Sequence, residues 1–253
     1  MNLPRVIPCL LLKSEALVKT QKFQNPSYIG DPINAVRIFN ELEVDELIIL
    51  DIDASKKNES PNFVFLENVV SEAFMPVAIG GGISSLEHAS RLINLGIEKV
   101  VINTASLESF KLIEEISSKF GSQSVVLSVD LKKNFLGALK IFKHTNGKTL
   151  NVEIDNYISG AINSGAGEIF LNFVDNEGLG VGYNFNFIEK ISKNIDVPLI
   201  VSGGAGNLDD FKKAVKCGAS ACAAGSMFVY KGRHRAVMIN YPEYKNLKIL
   251  FNE

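Results

Sequence analysis

One segment of this chain occurs twice, and that repeat limits its folds more than any other feature. Met75-Pro76-Val77-Ala78-Ile79-Gly80-Gly81-Gly82-Ile83 parallels Val197-Pro198-Leu199-Ile200-Val201-Ser202-Gly203-Gly204-Ala205, with Gly81 and Gly203 lying 122 positions apart. At nearly the same offset Val101-Ile102-Asn103-Thr104-Ala105-Ser106 echoes Ala223-Ala224-Gly225-Ser226-Met227, and Leu50-Asp51-Ile52-Asp53 echoes Phe173-Val174-Asp175-Asn176. Each copy holds four short apolar runs, too few to enclose a core alone. The runs fall at 5–11, 46–52, 76–80, 99–103, 124–129, 167–172, 198–202 and 220–224. They are nearly all apolar rather than alternating, as in parallel strands covered by helices. Amphipathic stretches near 32–43, 62–73, 85–95, 107–119, 153–165, 185–194 and 208–217 separate them. Asp31-Pro32 supplies a cap and an N1 proline for the first. Eight strands in 253 residues predict an α/β chain forming one (β/α)8 TIM barrel over 1–253, with half-barrels at about 1–123 and 124–253.

Two further segments do not belong to the alternation. Residues 133–151 predict a hairpin after strand five, because Ala138–Lys143 and Lys148–Val152 flank an Asn146-Gly147 turn. The tail from Arg233 is less regular, and Tyr241-Pro242 argues against one long final helix.

Charge excludes several partners. With 26 basic against 28 acidic residues there is no electrostatic case for nucleic acid or an anionic membrane. The N-terminal apolar run is broken by Pro and Arg and lacks a cleavage site, and no stretch is long enough to span a bilayer. Cys9, Cys217 and Cys222 form an odd set beside apolar segments, which predicts three free thiols in a cytoplasmic protein. His88, His144 and His234 are scattered without ligand spacing, so no metal is expected. His88 reads as a surface residue of the third helix, and Cys9 as core rather than nucleophile. No dinucleotide fingerprint or Walker loop is present, and no cofactor is expected.

The chemistry falls at the strand ends. Gly80-Gly81-Gly82 and Gly203-Gly204 follow apolar strands, where bare backbone N–H groups can meet a ligand. Asn103-Thr104 and Gly225-Ser226 stand one β/α unit further on. Two related sites predict a phosphorylated or similarly anionic small molecule held at both ends, with Lys19 reaching the first. Asp51, Asp130 and Asp175 with Glu177 end strands two, five and six, where a general acid or base belongs. Asp130 is the sharpest candidate; the alternative is a turn cap or a pair with Lys132. For Asp51 the capping alternative weighs equally.

These segments, with Arg5-Val6-Ile7-Pro8-Cys9-Leu10, Asp45-Glu46-Leu47, Phe120-Gly121-Ser122-Gln123 and Ser202-Gly203-Gly204-Ala205-Gly206-Asn207, resemble the cyclase subunit of imidazole glycerol phosphate synthase, in order from residue 4 to about 230. The resemblance implies a ribulose-phosphate-binding barrel with lyase activity in histidine biosynthesis. It implies a class I glutaminase partner at the N-terminal face supplying ammonia, and a ribulosyl-phosphate intermediate phosphorylated at both ends. By the same resemblance Gly82, Asn103 and Thr104 with Lys19 hold one phosphate, Gly178, Gly204, Gly225 and Ser226 the other, and Asp130 is the catalytic carboxylate. Asp51 and Glu177 are its candidate helpers. Arg5, Glu46, Lys99 and Glu168 correspond to a salt-linked ammonia gate, and Lys99→Ala should disturb coupling more than folding.

Two positions depart from the family pattern. Where it reads Pro-Cys-Leu-Asp-Val-Lys, this chain reads Pro8-Cys9-Leu10-Leu11-Leu12-Lys13, so a carboxylate has become Leu11. The strand-six loop, usually Asp-Arg-Asp-Gly-Thr, reads Asp175-Asn176-Glu177-Gly178-Leu179. Losing one acid/base partner forfeits about 10²–10⁴ in rate, which predicts a poor histidine-pathway cyclase. Pro8-Cys9-Leu10-Leu11-Leu12, Leu17-Val18-Lys19-Thr20 and Ile29-Gly30-Asp31-Pro32-Ile33-Asn34 also resemble an offshoot of the family that modifies surface polysaccharides. That resemblance implies a glutaminase and an N-acetyl-sugar amidotransferase as partners, converting an acetamido group on a sugar to an acetamidino group. The offshoot is the preferred expectation, histidine-pathway cyclisation the alternative, and a non-catalytic structural partner the third.

Overall fold

The computed structural model describes residues 3–252, so the outermost positions of the expected single domain lie outside the described residues. Eight parallel strands close on themselves: β1 (Arg5–Lys13), β2 (Leu47–Asp51), β3 (Val77–Gly80), β4 (Lys99–Ile102), β5 (Val125–Lys133), β6 (Glu168–Phe173), β7 (Leu199–Ser202) and β8 (Ala221–Ala224). Each pairs in parallel with the next, and β8 returns to β1 in register Arg5↔Ala221 to Pro8↔Ala224. The chain is therefore a (β/α)8 barrel. Side chains at the helix starts fix where the helices begin. Asp31 accepts from Asn34 N at 2.8 Å, Ser85 from His88 N at 3.2 Å, and Asn207 forms a reciprocal capping box with Asp210.

Residues two apart on a strand share a face, and this periodicity builds two cores. Val6, Leu10 and Leu12 point out to the helices and join the large outer core, whereas Ile7 and Cys9 point inward. Ile48, Val101, Val126, Phe170 and Ile200 complete an inner apolar layer with the small Ala221 and Ala223. Counting by twos along β1 from Arg5 through Ile7 and Cys9 reaches Leu11. The same count along β6 runs from Glu168 through Phe170 to Asn172. The interior is thus charged at the bottom, apolar in the middle and polar at the top.

The sequence reading passed over one element. After β1 the chain turns back as a hairpin, Ala16–Gln21 against Gln24–Gly30, whose first strand pairs with the end of β1. Its turn is Lys22-Phe23, with φ of 53° and 63°, where Asn-Gly would ordinarily mark such a turn. Its outer strand is mostly exposed, so neither a turn signal nor an apolar run betrayed it. The hairpin expected after strand five is present as Leu139–Lys143 against Lys148–Thr149. The tail passes Pro242 and ends in a separate short helix, Tyr244–Asn252. Tyr241 Oη donates to Val6 O at 2.8 Å and so fastens the tail to β1. Among the described residues no helix is long and apolar enough to cross a membrane.

Candidate functional site

The strand ends surround a cavity of about 270 Å³ that Leu11, Asp51, Asn103, Thr104, Asp130 and Asn172 help to line. Asp130 reaches it because Val126, Ser128 and Asp130 share the inward face of β5. Only 6% of Asp130 is exposed. Asn103 Nδ2 donates to its Oδ2 at 3.2 Å and to Ser128 O at 3.1 Å. Burial raises the Asp130 carboxyl to about 7, even though hydrogen bonds from Asn103 and Asn172 pull it down. A carboxyl poised there can both give and take a proton near neutral pH. Asn172 stands opposite Asp130 in the β5–β6 register, and the sequence reading missed it. The inward count from Glu168 would have found it.

Of the other two acids, neither is free. Asp51 lines the cavity, but its Oδ1 accepts Asp53 N at 2.9 Å and Ala54 N at 3.0 Å, which is the capping alternative. Glu177 is buried, paired with Lys19, and accepts Thr20 Oγ1 at 3.0 Å and Phe23 N at 3.2 Å. It anchors the first hairpin rather than presenting an acid to the cavity. The hairpin also corrects the expected place of Lys19. It folds toward β6 and β8, with Lys22 N donating to Glu177 O at 3.0 Å, and carries Lys19 to the second glycine-rich end. A Cβ on Gly225 would meet Lys19 Nζ at 2.9 Å. Lys19, Glu177, Gly178, Gly204, Gly225 and Ser226 line a separate cavity of only about 30 Å³.

The first glycine-rich end opens into the large cavity. Gly82 has φ +70°, and a Cβ there would lie 2.6 Å from Glu59 O, so only glycine fits. His88 supports it from below: Nδ1 lies 3.2 Å from Gly82 O, and the ring packs edge-on against Phe63. His88 is therefore half-buried under the site rather than a plain surface residue. Lys56 and His144 line the same cavity beside Gly82 and Thr104. Burial and the nearby Lys56 charge push the His144 imidazole down to about 4. The Asn103 Oδ1, Thr104 Oγ1, Asn172 Oδ1 and Ser226 Oγ atoms are buried with no hydrogen-bond partner. Such atoms cost stability unless a ligand or water meets them.

The opposite end of the barrel carries a ring of charge. Arg5 pairs with Glu46, and its Nη2 donates to Glu168 Oε1 at 2.6 Å. Lys99 Nζ lies 3.1 Å from both Glu46 Oε2 and Glu168 Oε2. Glu46, Lys99 and Glu168 are each at least nine-tenths buried. Between this ring and the cavity lies the inner apolar layer. Cys9 sits within it, and burial pushes its thiol up to about 12, which leaves it no reactive thiolate. Among the described residues no group of three or more His, Cys, Asp or Glu side chains could hold a metal ion.

The model of a family described as histidine biosynthesis protein matches residues 5–235. The chain is 49% identical over 247 residues to a Pseudomonas aeruginosa protein named "Putative imidazole glycerol phosphate synthase subunit hisF2", covering 97% of this chain and 98% of the relative. A Leptospira interrogans protein named "Putative imidazole glycerol phosphate synthase subunit HisF" is 44% identical over 98% of each chain. The "Imidazole glycerol phosphate synthase subunit HisF" of Helicobacter hepaticus is 36% identical over 97% of each.

Proposed function

The chain belongs to the histidine biosynthesis protein family, among the cyclase subunits of imidazole glycerol phosphate synthase, and from that membership we propose that it is a cyclase-type subunit fed with glutamine-derived ammonia by a glutaminase partner. One observation carries the reading. The Arg5–Glu46–Lys99–Glu168 ring and the near-neutral Asp130 carboxyl occupy opposite ends of one barrel, with an apolar layer between them.

Those ends suit the two halves of the task. Glutaminase docking at the N-terminal face would loosen the ring and admit ammonia. Uncharged NH3 crosses an apolar layer far more cheaply than NH4⁺, so the layer keeps the nucleophile in its reactive form. At the far end Asp130 would move the proton that carbon–nitrogen bond formation and ring closure require. Thr104 and its neighbours would hold an anionic end of the substrate.

The names of the relatives put the histidine-pathway reaction ahead of the acetamidino-sugar role preferred from sequence. One observation keeps the sugar role as a second reading: Leu11 occupies the inward position at the end of β1, lining the cavity where the family pattern has a carboxylate. In that role an N-acetyl-sugar amidotransferase would be a further partner and the barrel chiefly an ammonia conduit. Co-purification with a glutaminase, followed by transfer assays with glutamine and with ammonium salt, tests the common premise. Glutamine-dependent product with the ribulosyl-phosphate intermediate supports the first reading. Product only with an N-acetylated sugar and its amidotransferase supports the second. A barrel that forms no complex and transfers no ammonia overturns both.

A further inference from the structure

Asn172 sits where the apolar interior of the barrel gives way to its polar mouth. On β6 it follows Phe170 of the inner apolar layer by two residues, so it is the first polar side chain above that layer on its own wall. The β5–β6 register sets Asp130 beside it, and the β6–β7 register sets Ser202 on its other side. It lines both strand-end cavities.

Only 7% of Asn172 is exposed, and its Oδ1 is buried with no hydrogen-bond partner. A buried amide oxygen left in that state costs stability until a donor meets it. The side chain has a definite direction. A Cβ on Gly203 would lie 2.9 Å from Asn172 Oδ1, so the oxygen is turned toward β7 and the NH2 group toward β5. That NH2 group is the end that helps to hold the Asp130 carboxylate. Asn103 repeats the arrangement from the other side. It follows Val101 of the apolar layer by two residues, its Nδ2 donates to Asp130 Oδ2 at 3.2 Å, and its Oδ1 has no partner. Two amides therefore give their donors to one carboxyl and keep their acceptors free just above the apolar layer. Ammonia crossing that layer brings three N–H bonds and one lone pair. On β4 and β6 these two oxygens are the first side-chain acceptors it meets.

Resting on the ammonia-fed reading, we infer that Asn172 receives the ammonia. Its Oδ1, with Asn103 Oδ1, accepts N–H bonds from the NH3 that leaves the apolar layer, and its NH2 group keeps the Asp130 carboxyl turned to the same point. The nitrogen lone pair is left free to face the ligand above. Asn172 is thus a binding residue for the nucleophile and a positioning residue for Asp130.

The test uses the full chain and two NMR signals, the side-chain amide of Asn172 and the carboxyl carbon of Asp130. Ammonium chloride at pH 9, where much of it is NH3, should move the Asn172 amide. The same salt at pH 6, where nearly all is NH4⁺, should not, and potassium chloride controls for a cation of like charge and size. In Asn172→Leu the Asp130 midpoint should rise above about 7, by about one pH unit, since a hydrogen bond to the charged form is lost. The titratable groups around Asp130 are Cys9 and Tyr157 behind it and Asp51, Lys22, Lys56, Lys132 and His144 about the mouth, with the Lys19–Glu177 pair beyond Asn172. The substitution changes none of them, so a moved midpoint reports on Asn172, whereas a merely structural role would leave it in place. Should Asn172→Leu fail to fold, Asn172→Ala is read in the same way. An Asn172 amide that ammonia leaves unmoved, or an Asp130 midpoint unchanged in the variant, overturns the inference. Either result leaves the ammonia-fed reading standing or falling on glutaminase coupling, which is measured separately.

Discussion

Asn103 Nδ2 lies 3.2 Å from Asp130 Oδ2, yet this hydrogen bond does not restore the carboxyl to its ordinary range. Burial at the end of β5 outweighs it. The same neighbour leaves its own Oδ1 without a partner, so the pair awaits a group that can complete it.

Asp130 should make stability depend on pH. Its folded value of about 7 lies above the ordinary 3.8, so the neutral form is the one that the fold favours. The stabilisation it allows is fully present below 3.8 and is lost as pH rises through about 7. A gap of about three pH units corresponds to a penalty on the order of 4 kcal/mol above pH 8. Asp130→Asn should therefore be more stable than wild type at pH 8 and equal to it near pH 4, as read by urea unfolding. Equal stabilities across that range would place the carboxyl in a wetter setting.

Lys99→Ala should cost more in folding than its place in a gate suggested from sequence. Lys99 is buried between Glu46 and Glu168, and its removal leaves two buried carboxylates to Arg5 alone. Breaking such a cluster costs about 3–5 kcal/mol, or roughly 6–20 °C in Tm for a chain of this size. Lys99→Met with Glu168→Gln, which leaves the Arg5–Glu46 pair, should recover much of that loss. A loss below about 1 kcal/mol with ammonia coupling abolished would restore the original expectation.

The barrel was legible because its signals are local. Runs such as Val125–Val129 and Leu199–Val201 are almost wholly apolar, and Asp31 and Ser85 mark helix starts as capping chemistry requires. Asp130 and Thr104 were legible because they directly follow such runs. What escaped depended on long-range placement. Lys19 is fixed at the second end by Glu177, 158 positions away, through a hairpin whose turn lacks the usual residues. His144 carried no signal at all, since only the folding of the second hairpin over the mouth brings it beside Lys56.

His144 should link anion binding to proton uptake. The imidazole is held down to about 4 by burial and by Lys56, and an anion placed between them would draw a proton onto it. Sulfate, which keeps its charge from pH 5 to 7.5, is the suitable probe. Its affinity should rise as pH falls through that range. Asp51, Asp130, Lys22, Lys56 and Lys132 line the same cavity, and Asp130 titrates within the window as well. Measured in an Asp130→Asn background, His144→Asn should flatten the remaining slope. A slope unchanged by His144→Asn would remove the imidazole from the anion site.

Leu11→Asp is the substitution that best separates the two readings of function. Leu11 is 8% exposed on the inward face of β1, beside Leu50 in the β1–β2 register and in the same cavity as Asp130. Leucine can neither give nor take a proton, so the wild type has one acid/base group where the family pattern has two. With free ammonia supplied, the glutaminase and the ring are bypassed, and turnover of the ribulosyl-phosphate intermediate reports on the mouth alone. Wild-type turnover should be low, and Leu11→Asp should raise it by about 10²-fold, the usual worth of one positioned acid or base. The added carboxylate would face Asp130 across the cavity, so the gain should peak above pH 7, where the pair shares fewer protons. Asp130→Asn in the Leu11→Asp background should abolish the gain. High wild-type turnover that Asp130→Asn removes and Leu11→Asp leaves unchanged would show that one carboxyl suffices here. The histidine-pathway reaction would then stand without the sugar role.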